Sequence, residues 1–174
     1  MKLEVVHTCT LPAAVESVLY REFAARHVPM RGNAQFLAQV GTPAALVVAP
    51  GDPCNAAGLA ALPASVQLLA SYSVGVDHID RTAARARGLA VTNTPDVLTD
   101  ATADVAMLLI LGAMRGATAA QRLLYTRTWG PWTPDQIFGH DLRGRTLGLY
   151  GFGRIAEAVA HRARAFGMHV IAHA

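Results

Sequence analysis

Two glycines, Gly151 and Gly153, stand where the chain could hold a phosphate group. The stretch LGLYGFGRIAEA (147–158) places them between an apolar β-prone run and a helical pattern, with Ala156 where a third glycine would stand. Gly151 would allow a tight turn and Gly153 a close approach of pyrophosphate to backbone N–H groups, while Ala156 is small enough for helix-on-strand packing. The spacing predicts a dinucleotide turn at a helix N-terminus, where anions are favoured. A βαβ turn without a ligand is the alternative, and the turn does not separate NAD from NADP or another nucleotide.

A second group of reactive residue types lies in SYSVGVDHID (71–80), where Asp77, His78 and Asp80 share one short loop. By type they are candidates for carboxylate or base chemistry. Aspartates at such positions are also typical turn and helix-cap residues.

Four of the other histidines and the two cysteines form no predicted metal site. Four histidines outside this loop show no spacing typical of ligands; they are His140, His161, His169 and His173. Cys9 and Cys54 fit neither a disulfide framework nor paired zinc spacing. We expect free thiols, buried or partly exposed.

The elements that position these residues alternate between strand and helix. Compact β-prone runs are separated by helical patterns, the first of which covers 12–26. This alternation is typical of a doubly wound parallel sheet in an α/β protein. The predicted strands are 3–7, 45–50, 66–72, 89–93, TLGLYG (146–151) and MHVIAH (168–173), with a helix over 154–166 that Gly167 stops.

A strongly apolar helix begins after 95–100, where we place a domain boundary. Thr99 or Asp100 is its predicted N-cap, and Val105–Met114 is apolar almost all round. A helix without a polar face must be covered on most sides. The stretch TWGPWTPDQIFGHDLRG (128–144) then reads as a long surface connection.

Composition narrows the function classes. The chain has 174 residues, 52% of them hydrophobic and 16% charged, so we expect a folded domain or two small ones. Its 15 basic residues against 12 acidic ones are scattered, which argues against a nucleic-acid surface. The N-terminus lacks a signal-peptide pattern, and the longest apolar run is about half of a membrane span. We expect a cytoplasmic protein without nucleic-acid or membrane partners.

Three stretches in register carry a resemblance to a known family. They are SYSVGVDHID (71–80), RGLAVTNTPDVLTDATADVAMLLILGAMR (87–115) and GRTLGLYGFGRIAEAVAHRARAFGMHVIAH (144–173). Together they resemble the D-isomer-specific 2-hydroxyacid dehydrogenases. Within that family, the motifs VGVDHID, TPDVLTDATAD and WGPWTP look most like the glyoxylate and hydroxypyruvate reductase branch.

The resemblance implies a two-domain α/β architecture. Residues 1–97 would be the N-terminal part of a flavodoxin-like substrate domain, and 98–174 the start of an NAD(P)-binding Rossmann domain. A helix over 100–118 would lie between the domains and pair with a second subunit, which would make the protein a homodimer. Because only two strands follow residue 140, the Rossmann sheet would be truncated and the isolated chain poorly stable.

The resemblance also assigns site residues. Val74 and Gly75 match the loop whose backbone N–H groups hold the substrate carboxylate. Thr102 matches a cofactor contact, although a hydroxyl bonded within the first helical turn is an equally good reading of that residue. Phe152, Gly153, Arg154 and Ile155, after Gly151, match the pyrophosphate turn. The family does not use the side chains of the 71–80 loop for chemistry, so the resemblance implies that Asp77 and Asp80 are turn and cap residues.

The chemistry implied is hydride transfer between NAD(P)H and a small 2-keto acid such as glyoxylate or hydroxypyruvate. The family's catalytic arginine and its Glu-His pair match no position here and are expected downstream of Ala174, so this chain would be an inactive fragment. NAD-preferring members carry an acid after the second Rossmann strand to bond the ribose hydroxyls. The stretch MHVIAHA (168–174) has no acid at its end, near Ala174, which favours NADP as the cofactor. The alternatives are a non-catalytic dinucleotide sensor of the corepressor kind, or a family member acting on phosphite or formate.

Overall fold

The computed structural model describes residues 2–30 and 33–173, and the side chain of Asn33 is not considered. The chain divides into two compact units, Met1–Val97 and Leu98–Ala174. Each unit has its own hydrophobic cluster and its own parallel sheet.

The first unit is a five-stranded parallel sheet with helices in its crossover connections. Its strands lie in the order β2-β1-β3-β4-β5, which is the flavodoxin-like order. The predicted α/β class with a flavodoxin-like first part is confirmed. The elements in chain order are β1 Glu4–His7, α1 Ala13–Glu22, β2 Ala24–His27, α2 Asn33–Gln39, β3 Ala45–Val48, α3 Ala56–Ala61, β4 Leu68–Ser71, α4 Arg81–Ala86 and β5 Ala90–Thr92.

The central strands of this sheet form the core of the first unit. Val6, Leu46 and Leu69 are completely buried and come from the three neighbouring strands β1, β3 and β4. Strands covered on both faces read as continuous apolar runs, which is why LEVVH, ALVV and QLLA were recognisable in the sequence. Phe36 on α2 and Leu59 on α3 complete the cluster from the helical layers.

One predicted helix is too long. The helical pattern of 12–26 ends at Glu22, and Ala24–His27 forms the edge strand β2 instead. Phe23 is extended, with φ −123° and ψ 164°, and its N–H still donates to Leu19 O. Strand β2 was missed because pairing with β1 decides its conformation, and AARH carries no strand pattern of its own.

The described part of the second unit contains three helices and a two-stranded parallel sheet. Its elements are α5 Thr99–Met114, α6 Ala117–Tyr125, β6 Thr146–Tyr150, α7 Arg154–Ala165 and β7 His169–His173. Ala103 and Met107 on α5 pack with Val159 and Ala163 on α7, where small side chains allow the helices a close approach. Leu147 and its neighbours on the inner face of the β6–β7 sheet close this cluster.

The apolar helix differs from the prediction at both ends. Leu98 occupies the N-cap position without a side-chain bond, so the predicted caps Thr99 and Asp100 lie inside the first turn. The predicted continuous helix over 100–118 stops at Met114, and Gly116, at φ +65°, begins α6 after a bend of 72°. A left-handed residue cannot continue an α-helix, and glycine adopts that conformation readily.

Helix α5 is not covered on most sides. Val105 is 54% exposed, and Leu108 and Leu109 are each 66% exposed, on the side away from Met107. Among the described residues no single helix is both long and apolar enough to cross a membrane, although the bent pair α5 and α6 meets that criterion by length and composition.

Candidate functional site

The loop that follows β4, residues 73–76, contains Val74 and Gly75 and lies at the carboxyl edge of the first sheet. Strand β4 ends at Ser71 beside β5, so the segment after β5 lies against this loop. Thr94 N donates to Ser73 O over 2.9 Å, and Asn93 Nδ2 donates to Val74 O over 2.7 Å. Gly75 is exposed and Val74 is half-buried.

Side-chain hydroxyls support the same 73–76 loop from the sheet side. Ser73 Oγ donates to Gly75 O over 2.6 Å, and the oxygens of Ser71 and Ser73 are 2.6 Å apart. His78 Nε2 lies 3.2 Å from Ser71 Oγ. Ser71 is 3% exposed, so this hydroxyl is held in the interior by its partners.

Two side chains of this loop, those of Asp80 and His78, have hydrogen-bond partners within the protein. Asp80 is the N-cap of α4, and its carboxylate accepts from Ala83 N over 2.9 Å. The cap interpretation of Asp80 is confirmed. His78 is engaged with Ser71, while Asp77 lies in the turn next to Gly75.

The turn Gly151–Gly153, which the sequence predicts to hold a pyrophosphate, joins β6 to α7 in the second unit. Gly151 has φ +88°, a conformation that L side chains rarely adopt, and its N–H donates to His173 O over 2.7 Å. Gly153 is extended, with φ −87° and ψ −173°, and occupies the N-cap of α7. A Cβ built on either glycine meets no atom within 4 Å. The space beside the turn is therefore open to an incoming group.

The N-terminus of α7 gives this space its electrostatic character. Glu157 N donates to Gly153 O as the first bond of a 12-residue helix, so the earlier N–H groups have no acceptor within the helix. The cap residue has no side chain to satisfy them. Phe152 and Ile155 flank the opening and are 45% and 37% exposed. Uncapped N–H groups and the helix dipole favour an anion here.

Thr102 lies in the first turns of α5 and is exposed. Its N–H donates to Leu98 O over 2.9 Å, which closes the first turn of that helix. Helix α5 is held to α7 by Arg162, which contacts Asp100 over 2.9 Å and Asp104 over 2.7 Å. The pKa of the Arg162 guanidinium is raised, first by the hydrogen bond to Asp100 and then by that to Asp104.

The other reactive side chains form no metal site in the part of the chain that the structure describes. No group of three or more His, Cys, Asp or Glu side chains there could hold a metal ion. Both cysteines are free thiols, with Cys54 buried. Burial raises the pKa of Cys54 to about 11, and Asp52 adds to this effect; the same causes raise the pKa of Cys9.

Sequence reasoning missed the side chains that support the 73–76 loop, namely Ser71, Ser73 and Asn93. The available signal was their position at the carboxyl ends of two neighbouring parallel strands, where α/β sheets place binding groups. Only the pairing of β4 with β5 brings Asn93 to a loop 19 residues earlier in the chain.

A comparison with known protein families identifies the family of the chain. The family described as D-isomer specific 2-hydroxyacid dehydrogenase, catalytic domain, matches residues 13–171. The chain belongs to this family. Members of this dehydrogenase family are oxidoreductases that bind NAD(P) and act on small 2-hydroxy or 2-keto acids.

Individual members of the family are similar over most of the chain. Glycerate dehydrogenase of Hyphomicrobium methylovorum is 40% identical over 126 residues, which are 72% of this chain and 39% of that protein. Glyoxylate reductase of Thermococcus kodakarensis is 46% identical over 110 residues, 61% of this chain and 33% of that protein.

A solved structure extends the similarity to the whole length. The NADPH-dependent glyoxylate/hydroxypyruvate reductase of Sinorhizobium meliloti, in complex with NADP and malonate, is 30% identical with a TM-score of 0.81. The match covers 100% of this chain and 54% of that one. The chain thus spans about half the length of this solved relative and matches over about two-fifths or less of the two curated relatives.

Proposed function

We propose that this dehydrogenase family member serves the NAD(P)H-dependent reduction of a small 2-keto acid such as glyoxylate or hydroxypyruvate. Residues 1–97 would contribute to the substrate domain and residues 98–174 to the dinucleotide-binding domain. The observation that carries the proposal is the turn Gly151–Gly153, which combines open space at both glycines with the uncapped N-terminus of α7. An ordinary strand-to-helix turn has no need of both features.

The residues of the turn fit a dinucleotide pyrophosphate. Because Gly153 has no Cβ, phosphate oxygens can approach the first N–H groups of α7, and Gly151 supplies the reversal that aims them. Phe152, Arg154 and Ile155 would line the cofactor, and Thr102 would contact it from α5. When bound, the nicotinamide supplies the hydride that reduces the keto carbon.

The cofactor proposed is NADP rather than NAD. An acid after the second Rossmann strand would bond the ribose hydroxyls of NAD and repel the phosphate of NADP. Strand β7, His169–His173, contains neither aspartate nor glutamate. Ala174, near which the ribose-binding acid of an NAD enzyme would stand, lies outside the described residues. One relative, the reductase of Sinorhizobium meliloti, is NADPH-dependent and was solved with NADP bound, which supports this proposal.

The proposed substrate partner is the N–H pair of Val74 and Gly75. A glycine lets the backbone approach a carboxylate closely, and successive N–H groups can form an anion-binding concavity. The arginine and the general acid that would polarise and protonate the keto oxygen are not assigned to any residue of the chain. A homodimer formed through the 100–118 region, which is mostly α5, is part of the same proposal, since the exposed apolar side chains of α5 would be buried there.

Calorimetric titration of the purified chain with NADPH, NADH and hydroxypyruvate tests the proposal. We expect binding of NADPH in preference to NADH, and binding of the keto acid without competition from the nucleotide. Equal or tighter binding of NADH would contradict the cofactor assignment alone. Absence of binding by both nucleotides, in a sample with a native circular dichroism spectrum, would contradict the dinucleotide role of the turn.

A further inference from the structure

Two consecutive carbonyl groups of the 73–76 loop are held by two consecutive residues of the segment after β5. Ser73 O accepts from Thr94 N, and Val74 O accepts from the Asn93 side chain, at 2.9 and 2.7 Å. Both carbonyls therefore point towards residues 93–94. The first of these bonds uses the backbone only, while the second depends on the identity of one side chain.

The planarity of the peptide bond turns this anchoring into an orientation of N–H groups. In a trans peptide the C=O and the N–H point in opposite directions. With Ser73 O anchored, the N–H of Val74 faces away from the 93–94 segment, and with Val74 O anchored, so does the N–H of Gly75. The two N–H groups thus share one side of the loop, which is the geometry that a carboxylate needs.

A directed chain of hydrogen bonds fixes the next peptide. The Gly75 carbonyl can only accept, so the single hydroxyl proton of Ser73 is committed to it. Ser71 must then donate to Ser73, and its remaining contact, His78 Nε2, must donate to Ser71. The order is His78 to Ser71 to Ser73 to Gly75 O. In this order His78 Nε2 is a donor whether the ring is neutral or protonated.

We propose that Asn93 and Ser73 are positioning residues, which orient the N–H groups of Val74 and Gly75 for a substrate carboxylate without touching the substrate. The inference rests on the proposed function, in which this N–H pair binds the carboxylate. Asn93 acts through the Val74 carbonyl. Ser73 acts through the Gly75 carbonyl and is itself oriented by Ser71 and His78.

The test is an NMR titration of the ¹⁵N-labelled 174-residue chain with oxalate, a two-carbon acid without a reactive aldehyde, at constant ionic strength. We expect the amide resonances of Val74 and Gly75 to move saturably in the wild-type chain. Asn93→Ala should raise the Kd by about fivefold to tenfold, the effect of losing one hydrogen bond. Asn93→Asp keeps the shape but removes the donor, so its Kd should rise at least as much.

Thr94→Ala is the matched control, because it keeps the backbone N–H that bonds Ser73 O and should bind oxalate like the wild type. Ser73→Ala should weaken binding by about threefold or more, and Ser73→Thr should restore it by restoring the hydroxyl. Residual dipolar couplings of the Val74 and Gly75 N–H vectors should change in Asn93→Ala while those of the sheet do not. A merely structural role would not produce this local change.

The outcomes separate the two proposals. If oxalate leaves Val74 and Gly75 unmoved in the wild-type chain, the carboxylate role of the loop is wrong and the positioning inference fails with it. If the wild type binds there and Asn93→Ala binds equally tightly, only the positioning inference is overturned. If Asn93→Ala does not fold, the two Ser73 variants decide the question. In that case, equal oxalate affinity of Ser73→Ala and Ser73→Thr overturns the positioning inference.

Discussion

Gly151 and Gly153 are two residues apart but have different structural requirements. Gly151 needs glycine for its own backbone, because φ +88° strains any L side chain. Gly153 has an extended backbone that any residue can adopt, and open space surrounds the position of its missing Cβ. Nothing in the fold therefore requires glycine at 153, and a ligand would supply the reason.

Replacing Gly153 with alanine should separate binding from folding. We expect Gly153→Ala to lose about tenfold or more in NADPH affinity, since its methyl group would occupy the space of the pyrophosphate. Its free energy of unfolding should fall by only about 0.5 kcal/mol, from replacing glycine with alanine at a helix N-cap. Fluorescence titration and urea denaturation measure the two quantities.

The control for that experiment is Gly151→Ala. This change should lower the free energy of unfolding by about 1–2 kcal/mol because of the left-handed backbone. A Gly153→Ala variant that binds NADPH like the wild type would show that the open space has no ligand.

The two thiols should differ in reactivity and both should be slow. Burial and the neighbouring Asp52 hold the pKa of Cys54 at about 11, above its ordinary value of 9.0, and Cys9 is raised by the same causes. Since the thiolate is the nucleophile, we expect iodoacetamide at pH 8 to label the half-buried Cys9 first and Cys54 only after unfolding. Mass spectrometry of timed samples measures both rates.

The same pKa predicts a pH dependence of stability. Between pH 9 and about 11 the unfolded Cys54 thiol loses its proton while the folded one keeps it. The folded state then binds more protons, so the free energy of unfolding should fall as the pH rises through this window. The fall should be absent in Cys54→Ala if Cys54 is its source.

At the scale of elements, every predicted strand is present, but β2 was missed and the helix ends were predicted less well. Apolar runs such as LVV in β3 indicate buried parallel strands. Strand β2 has no such pattern, and its extended conformation depends on pairing with β1. Gly116 sets the end of α5. The sequence shows that a glycine stands there, but it does not show that this glycine adopts a left-handed conformation. Asp80 was identified as a cap residue because an aspartate before a helical pattern has a local reason to be there.

Arg87, at the C-terminus of α4, binds the C-terminal end of α3. Its guanidinium donates to the carbonyls of Leu59, Leu62 and Pro63, at and beyond the C-terminus of α3. Carbonyls at a helix end lack partners within the helix, and here one side chain satisfies several. We expect Arg87→Met to lower the free energy of unfolding by about 2 kcal/mol.

Arg85→Met is the matched control, since Arg85 is an exposed basic residue in the last turn of the same helix. Its effect in urea denaturation should stay within about 0.5 kcal/mol. Equal effects of the two substitutions would show that the Arg87 contacts do not stabilise α3.

At the scale of the whole molecule, two apolar faces of the second unit remain exposed. One is the row Val105, Leu108 and Leu109 on α5. The other is the outer face of the β6–β7 sheet, where Tyr150 is 94% and Ile171 62% exposed. Parallel sheets are usually covered on both faces, and patches of this kind mark contact surfaces. The chain should therefore associate with itself.

Charge placed on α5 should reduce that association. We expect light scattering to give a dimer or larger species for the wild type and a larger monomer fraction for Leu108→Glu with Leu109→Glu. Val15→Glu, a change of the same chemistry at a 42% exposed site on α1, is the control and should leave the mass unchanged. A monomeric wild type would contradict the proposed homodimer.

The sequence by itself determined the α/β class, most strands and the glycine turn, because these depend on periodicity and on backbone requirements that act within a few residues. The tertiary structure decided edge strand β2, the 72° break after α5 and the partners of the 73–76 loop. Strand β2 and the loop partners depend on contacts between residues far apart in the chain, while the break follows from the left-handed backbone that Gly116 adopts in the folded chain. Asn93 shows the difference: its amide meets Val74 only because two parallel strands end side by side.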